Sequence, residues 1–533
     1  MLPVIDDNRG WKKAEYYKTR VWYYGNIQSS SIKKLCKNTK KLDFSNLNKL
    51  KEEAAKFSGR FAFIIRINKN LNIAFVDRIK SIPIFVAKNS YSYQLSNCAV
   101  LLKQKLKIKK RCEKSFLSIK MAGYCIGRQT LYKNLFQLLP GEVCIIKKNK
   151  VNYFNYYSFI NKKRYFVGSK NFLSKKLSEL TLSILDDLLQ KNSGKIVVPL
   201  SAGYDSRLII SALYHLNAKN IICYSYGKKN NFEAKTAKRI ANKFNYPWYF
   251  VELSNKIQRK NFSSSLYKEY TNFSDSLASW SYVQDFFAVN SLIKRKIINK
   301  DNIILNGNTG DFISGGHLPA LKLNSNIKKY NLKNILSYII KKHFSLWENY
   351  FDDKQNNIIT KMLLDTLPQE LKNLRTDEEY KIYEYIEFVN RQSNYVIQGQ
   401  RVYDFYNIKW DLPLWHDEYL NFWNRVPYNL KVDQTLYKFM LFKNNWGNVW
   451  KNIPINKYSI SPISIRYIRN FLKIFFLFKN KNDWEMFDKK YLAYFTELVP
   501  HYSYFNYFDI IKNKKIARNA VAWHVDHYLK LKI

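Results

Sequence analysis

The sequence predicts a protein in two principal parts. A β-rich part comes first, followed by an α/β domain on a parallel sheet with a helical C-terminal part. Three observations predict this. Up to about residue 160, short apolar runs alternate with turn dipeptides such as Pro140-Gly141, a pattern of strands and hairpins. From about residue 170, short apolar runs alternate with helical patterns, which is how βαβ units and a parallel sheet read. From about residue 330 the periodicity is helical and rich in aromatics.

Composition sets the bounds. The chain has 533 residues, enough for two or three domains with full cores, and 46% of them are hydrophobic, as in globular proteins. The 89 Lys and Arg against 41 Asp and Glu give a formal net charge of +48, which ordinarily points to nucleic acid or an anionic membrane. The lysines are spread along the whole chain among abundant Asn, Tyr, Phe and Ile, so the charge reads as a compositional bias and no nucleic-acid partner is expected. Association with a membrane surface through lysines stays open. The six cysteines form no C-x-x-C pair and no zinc spacing, and read as free thiols of a cytosolic protein. No basic segment followed by an apolar one opens the chain, so no signal peptide is expected. The most apolar late run, Phe471 to Phe478, contains Lys473 and is too short to span a bilayer. The expectation is a cytoplasmic protein without a transmembrane segment.

In the first part, Phe61 to Ile67 and Asn72 to Val76 read as strands joined by Asn68-Lys69-Asn70. Ile82 to Ala87 and Glu142 to Ile146 read as further strands. In the second part, Phe172 to Leu189 reads as a helix. It precedes Ile196-Val197-Val198-Pro199-Leu200, a buried strand of a parallel sheet. Ser201, Ala202 and Gly203 follow, small enough for a tight turn and close approach to a ligand. Asp205 and Ser206 stand where a helix begins, with Leu208, Ile209, Ala212, Leu213 and Leu216 on its apolar face. Strand, small-residue loop and helix N-terminus together form an anion site. An aspartate at that point calls for a cation as well, and a nucleoside triphosphate with Mg²⁺ meets both needs. Ile221 to Tyr226, Trp248 to Val251 and Ile303 to Leu305 are the further strands, a helix opens at Phe232, and Ser276 to Ile298 reads as mostly helical. Ligands of open α/β sheets bind at the carboxyl ends of strands, where Tyr226-Gly227 and Gly307-Asn308-Thr309-Gly310-Asp311 stand.

The Ser201–Ser206 stretch resembles the pyrophosphatase loop, Ser-Gly-Gly-x-Asp-Ser, of the asparagine synthetase family, with Ala202 in place of the first glycine. It is not a P-loop, since no Gly-Lys-Ser or Gly-Lys-Thr follows. The resemblance runs in order from Gly59 to Pro462. Gly59-Arg60-Phe61-Ala62-Phe63, Asp77-Arg78, Ser81 to Phe85, Thr130 to Lys133 and Leu138 to Glu142 are similar to the glutaminase domain of class II amidotransferases. That domain is an Ntn-hydrolase-like, four-layer α+β sandwich, which the resemblance implies for the β-rich part. Residues 1–160 then correspond to a degenerate glutaminase-like domain, because the family's N-terminal catalytic cysteine is absent: position 2 is Leu2 and the first cysteine is Cys36. Residues 170–475 correspond to the ATP-pyrophosphatase domain, and residues 476–533 form an aromatic, basic extension.

The resemblance implies a set of roles. Leu200, Ser201, Gly203, Asp205, Ser206, Tyr226, Gly227 and Gly307 would hold ATP, and Asp205 and Asp311 would hold Mg²⁺. Asp311 otherwise serves as a helix cap. Asn308 stands where the family has a glutamate that positions the acceptor or its amine. His317 either reaches substrate or is structural. Arg391-Gln392-Ser393, Arg401 and Asp411 to Trp415 loosely follow the family's later motifs. Lys457 falls where the family has a mobile-loop lysine that stabilises charge on the acyl-adenylate and pyrophosphate, with Lys438 as the alternative. The implied activity is an AMP-forming carbon–nitrogen ligase. ATP would activate a small carboxylate, aspartate or a sugar uronic acid, and ammonia or an amine would displace AMP. Glutamine would not be hydrolysed. A homodimer is compatible with this reading. Two others stay open: an RNA-modifying ATP pyrophosphatase, favoured by charge, and a catalytically degenerate scaffold, favoured by Leu2, Ala202 and Asn308.

Overall fold

The structure, a computed structural model, describes residues 2–41, 47–89, 92–160, 164–318, 332–372, 378–455, 460 and 462–532. It is a mixed α/β protein with several sheets and many helices. Among the described residues, nine strands precede residue 160: β1 (Lys12–Tyr16), β2 (Thr19–Tyr24), β3 (Ala62–Asn68), β4 (Leu71–Val76), β5 (Phe85–Lys88), β6 (Tyr93–Ser96), β7 (Leu135–Gln137), β8 (Glu142–Lys147) and β9 (Lys150–Asn155). Six form an antiparallel sheet in the order β1-β2-β3-β4-β8-β9, and three a second antiparallel sheet, β6-β5-β7.

Strand alternation decides which side chains meet. Phe63, Ile65 and Phe75 pack with Ile32 and Leu35 of the helix Ser29–Lys41, and with Leu50 of the helix Leu47–Ala55. Ala62, Ile64 and Ala74 point the other way, into a cluster with Ile82, Ile84 and Val86 beside the second sheet. Because β3 is buried on both faces, it reads as an unbroken apolar run rather than an alternating one. Phe85 and Ala87 on the far side of the second sheet share a cluster with Leu102 and Ile119, from the helices Ala99–Lys105 and Glu113–Ala122. The run expected to form a strand from Ile82 does so only from Phe85. Ser81 is held instead by Asp77, whose carboxylate accepts its backbone N–H at 3.0 Å and its hydroxyl at 2.5 Å.

Among the described residues, the second sheet system has five parallel strands: β10 (Ile196–Pro199), β11 (Ile221–Gly227), β12 (Trp248–Glu252), β13 (Ile303–Leu305) and β14 (Lys409–Asp411). Their order, β12-β11-β10-β13-β14, means that the chain steps outward from β10 on one side and then resumes on the other. Ile196 pairs with both Ile221 and Ile303, so the reversal lies between β10 and β13. That is the topological switch point at which open sheets leave a crevice. The helix Lys170–Gln190 packs ahead of β10, with Ser169 accepting the Phe172 N–H at 3.2 Å as its cap.

Two expectations need correction. Ser276 to Ile298 is not mostly helical: helix covers only Phe286–Lys294. The carbonyls of Leu277 and Ala278 accept the N–H groups of Leu131 and Cys125, at 2.7 and 2.6 Å, so this backbone is bonded across to the first part. The C-terminal part is helix-rich but also supplies the edge strand β14, too short for any periodicity to show. Its most unusual element is a π-helix, Glu387–Val396, continued by the short turns Ile397–Gln400 and Arg401–Phe405. This stretch lies between the two parts. Asn390 Oδ1 accepts the Gly127 N–H at 2.7 Å, Asn394 Nδ2 donates to the Cys125 carbonyl at 3.0 Å, and Arg401 donates to the Ser81 carbonyl at 2.6 Å. No helix among the described residues is long and apolar enough to cross a membrane.

Candidate functional site

A cavity of about 640 Å³ opens at the carboxyl ends of β10, β11 and β13. Leu200, Ser201, Gly203, Asp205, Ser206, Tyr226, Gly307 and Asp311, all singled out from the sequence, line it. Gly227 stands behind the wall: its φ is +119°, and a Cβ there would come within 3.0 Å of the Leu498 carbonyl oxygen. Lys457 lies outside the described residues. Lys438, on the helix Thr435–Asn444, holds its ammonium 5.8 Å from the Tyr204 ring.

The loop after β10 is tightly closed on itself. The Ser201 N–H donates to Ser206 Oγ at 3.0 Å, the two hydroxyls lie 3.1 Å apart, and the Gly203 N–H donates to Ser201 Oγ at 3.2 Å. Gly203 precedes the helix Tyr204–His215 without a side-chain cap, so first-turn N–H groups are left to face the cavity. Ala202 is buried, and its carbonyl accepts from Arg207 at 2.8 Å. Arg207 is itself fully buried and also donates to the carbonyls of Val449, Ile453 and Pro454, at 3.1, 2.9 and 2.9 Å. One guanidinium thereby ties the loop to the segment that leads toward Lys457.

The loop after β13 fits against this helix end. Thr309 has a φ of +67°, and Gly307 packs so closely that a Cβ would stand 2.8 Å from the Ser206 nitrogen. Asp205 Oδ2 accepts the Asp311 N–H at 3.1 Å, and Asp205 Oδ1 accepts the Tyr437 hydroxyl at 2.9 Å. Burial, and then the charge of Asp311, raise the Asp205 carboxyl to about 7. Asp311 is half exposed, opening onto the cavity, and accepts from its neighbour Phe312 at 2.8 Å. Its other oxygen meets His317 Nε2 at 2.9 Å.

His317 continues the chain of charges through Nδ1, 2.6 Å from Glu387 Oε1. Burial opposes a charge on this ring, but Glu387 and Asp311 outweigh it and raise His317 to about 9, so it stands as an imidazolium. Burial likewise opposes the Glu387 charge, and His343 and His317 overcome it to hold the carboxyl well below its ordinary range. Glu387 also accepts from Tyr383, Arg391 and Gln392, at 2.5, 3.0 and 2.8 Å. Arg391 reaches the cavity wall from the same π-helix, a kind of element often found at functional sites. The sequence showed His317 as open between two roles and gave no sign of Glu387, whose spacing becomes meaningful only once the π-helix is seen.

The tail contributes as well. Leu498 and Val499 line the cavity, the Lys228 N–H donates to the Leu498 carbonyl at 3.0 Å, and Lys228 Nζ donates to the Phe495 carbonyl at 2.6 Å. Asn308 donates its side-chain amide to Gln284 Oε1 at 3.2 Å, so two neutral amides pair at this point of the cavity wall. No group of three or more His, Cys, Asp or Glu is assembled to hold a metal ion among the described residues.

No protein-family model matches the chain, and no curated protein does. Among solved structures it matches the glutamine phosphoribosylpyrophosphate amidotransferase from B. subtilis complexed with ADP and GMP. The identity is 11% over 48% of this chain and 75% of that one, with a TM-score of 0.19. This is a distant likeness to an amidotransferase, below the level from which a shared function follows.

Proposed function

We propose that the chain is an ATP-dependent, AMP-forming carbon–nitrogen ligase of the asparagine synthetase type. The observation that carries the reading is the convergence of the Ser201–Ser206 loop, Asp205 and Asp311 in one cavity at the switch point of a parallel sheet. First-turn N–H groups and two serine hydroxyls suit the oxygens of a pyrophosphate group. Two carboxylates, one of them raised to about 7 by burial and by the charge of the other, suit Mg²⁺. That ion characteristically takes one or two carboxylates and completes its shell with phosphate oxygens and water. When bound, it would neutralise phosphate charge.

The chemistry proposed is adenylation. A substrate carboxylate oxygen attacks the α-phosphorus of ATP, the bond to the β-phosphate oxygen breaks, and pyrophosphate leaves. A nitrogen nucleophile then attacks the acyl carbon, loses a proton and displaces AMP. Arg391 and the His317 imidazolium provide positive charge on the wall beyond Asp311, where an acidic acceptor would be held. Asn308 and Gln284 provide no anion to hold an α-ammonium group, which favours a sugar uronic acid over aspartate. Lys457 is proposed as the cation that stabilises charge on the leaving pyrophosphate.

The first part is proposed as an Ntn-hydrolase-like sandwich without glutaminase activity. Support comes from the two antiparallel sheets with a cluster between them and helices on their outer faces. It comes also from the five cysteines of the first part: four are buried and only Cys112 is partly exposed, just ahead of the helix Glu113–Ala122. Nitrogen is then taken as ammonia or an amine. The test is ATP–pyrophosphate exchange with Mg²⁺ against a panel of carboxylates that includes aspartate and uronic acids. Exchange stimulated by one acid supports the reading and identifies the acceptor; no exchange with any of them, together with no binding of Mg–ATP, would overturn it.

A further inference from the structure

The helix Ile463–Ile474 buries none of its residues, although half of them are apolar. One face rests on the protein. Ile465, Arg469, Leu472 and Phe476 are half-buried; Phe476 packs on Trp484 and Phe487 with ring centres 5.4 and 5.0 Å apart, and Arg469 pairs with Asp488 at 2.7 Å. The opposite face has nothing over it. Ile463, Tyr467, Phe471 and Ile474 follow one another at helical spacing, and the turn beyond adds Phe475 and Phe478. Phe471 is 62% exposed, Phe475 64% and Phe478 wholly so. A contiguous apolar surface of this kind marks a docking site.

We infer that this helix docks the protein in the plane of an anionic lipid surface. Charge complementarity selects that occupant. From Pro462 to Asn482 the chain carries Arg466, Arg469, Lys473, Lys479 and Lys481 and no Asp or Glu, within a protein of formal net charge +48. A short amphipathic helix, aromatic and aliphatic on one side and flanked by Lys and Arg, has the make-up of an interfacial helix that lies among lipid headgroups. Tyr and basic residues sit at the boundary while Phe enters the acyl region. At 12 residues the helix is too short to span. A second copy fits the surface poorly, because it would set Arg466 and Lys473 of one helix against those of the other, with no Asp or Glu on the helix to answer them.

The test is flotation of the full chain with vesicles of phosphatidylcholine alone and of an equimolar phosphatidylcholine–phosphatidylglycerol mixture. Wild type should float with the anionic vesicles at low salt, and only weakly with the neutral ones or at high salt. Phe471→Ser combined with Phe475→Ser and Phe478→Ser, and separately Lys473→Glu with Lys479→Glu, should each reduce binding by about tenfold or more. All these side chains are exposed, so the thermal midpoint should not move. The emission of Tyr467→Trp after subtraction of wild type, which carries 12 tryptophans of its own, should be blue-shifted on anionic vesicles, which association through distant lysines would not produce. Failure of wild type to float, or flotation of both multiple variants at the wild-type level, would overturn the inference. So would an oligomer in light scattering that the Phe→Ser variant dissolves while wild type ignores lipid.

Discussion

At the scale of single residues the site is a row of charged groups in contact: two acids, Asp205 and Asp311, then His317, Glu387 and Arg391. Each is held by the next, so removing one exposes what it was balancing. Asp205→Asn keeps an acceptor for Tyr437 but removes the hard anion, and should weaken Mg–ATP binding by roughly tenfold or more while leaving Mg-free nucleotide binding nearly unchanged. Equal affinity of wild type and variant in titrations with and without Mg²⁺ would remove Asp205 from the metal assignment. Lys457 is placed by resemblance alone, and its role separates in kinetics. If it meets charge that develops only in the transition state, Lys457→Ala should lower kcat by on the order of 10²-fold with little change in KM for ATP. Lys457→Arg should restore part of it, since the charge returns without the compact ammonium. Full turnover in Lys457→Ala together with loss in Lys438→Ala would transfer the role to the helix Thr435–Asn444.

At the scale of elements, the site depends on how closely the loop after β13 meets the start of the helix Tyr204–His215. Gly310 is the sharpest case, since a Cβ there would stand 2.5 Å from both Asp205 Oδ1 and a Leu414 methyl. Gly310→Ala should therefore displace Asp205 and reduce Mg–ATP affinity at least as much as Asp205→Asn. An unchanged affinity measured by calorimetry would show that the loop has room to shift. This is also where the limits of the sequence show. The strand at Ile196, the turn at Ser201–Gly203 and the helix after it were legible because period, small residues and polarity change within a few positions. β13 and its glycines were legible for the same reason. The π-helix was not, because its residues read as an ordinary helical stretch, and its polar Asn390 and Asn394 make sense only against Gly127 and Cys125 from a distant part of the chain. Nor could Ser276 to Asp285 be told from helix, since its backbone partners lie about 150 residues earlier.

At the scale of the whole molecule the tail makes the parts one unit. Its last helix, Ala520–Leu531, brings Val525 against Gly123 of the first part, while Tyr528 and Lys532 donate to Asp275 at 3.0 and 2.6 Å. His524 sits in the middle of this junction, 2% exposed, stacked on Trp280 at 5.1 Å and bonded through Nε2 to the His501 carbonyl at 3.0 Å. A carbonyl accepts only, so Nε2 carries the proton, and Nδ1 stays bare in the neutral ring. Burial, with His501 adding to it, pushes His524 down to about 3. The unfolded chain takes up this proton near pH 6.5, whereas the folded chain does not until about pH 3. Between those values the unfolded state binds more protons, so stability is full above the unfolded value and falls as the pH drops toward the folded one. One such group contributes a slope of about 1.4 kcal/mol per pH unit. His343, pushed to about 4 chiefly by burial, adds a second group over most of the same window. His524→Phe keeps a flat buried ring and removes the proton site. It should lower stability at pH 7, because the His501 carbonyl loses its donor, yet show a shallower loss between pH 6.5 and 4.5 in urea unfolding. The same pH dependence in wild type and variant would mean that the ring is charged in the folded protein. The wedge between Trp280 and His501 would then have to admit an imidazolium, and with it a carboxylate or water that none of its neighbours provides.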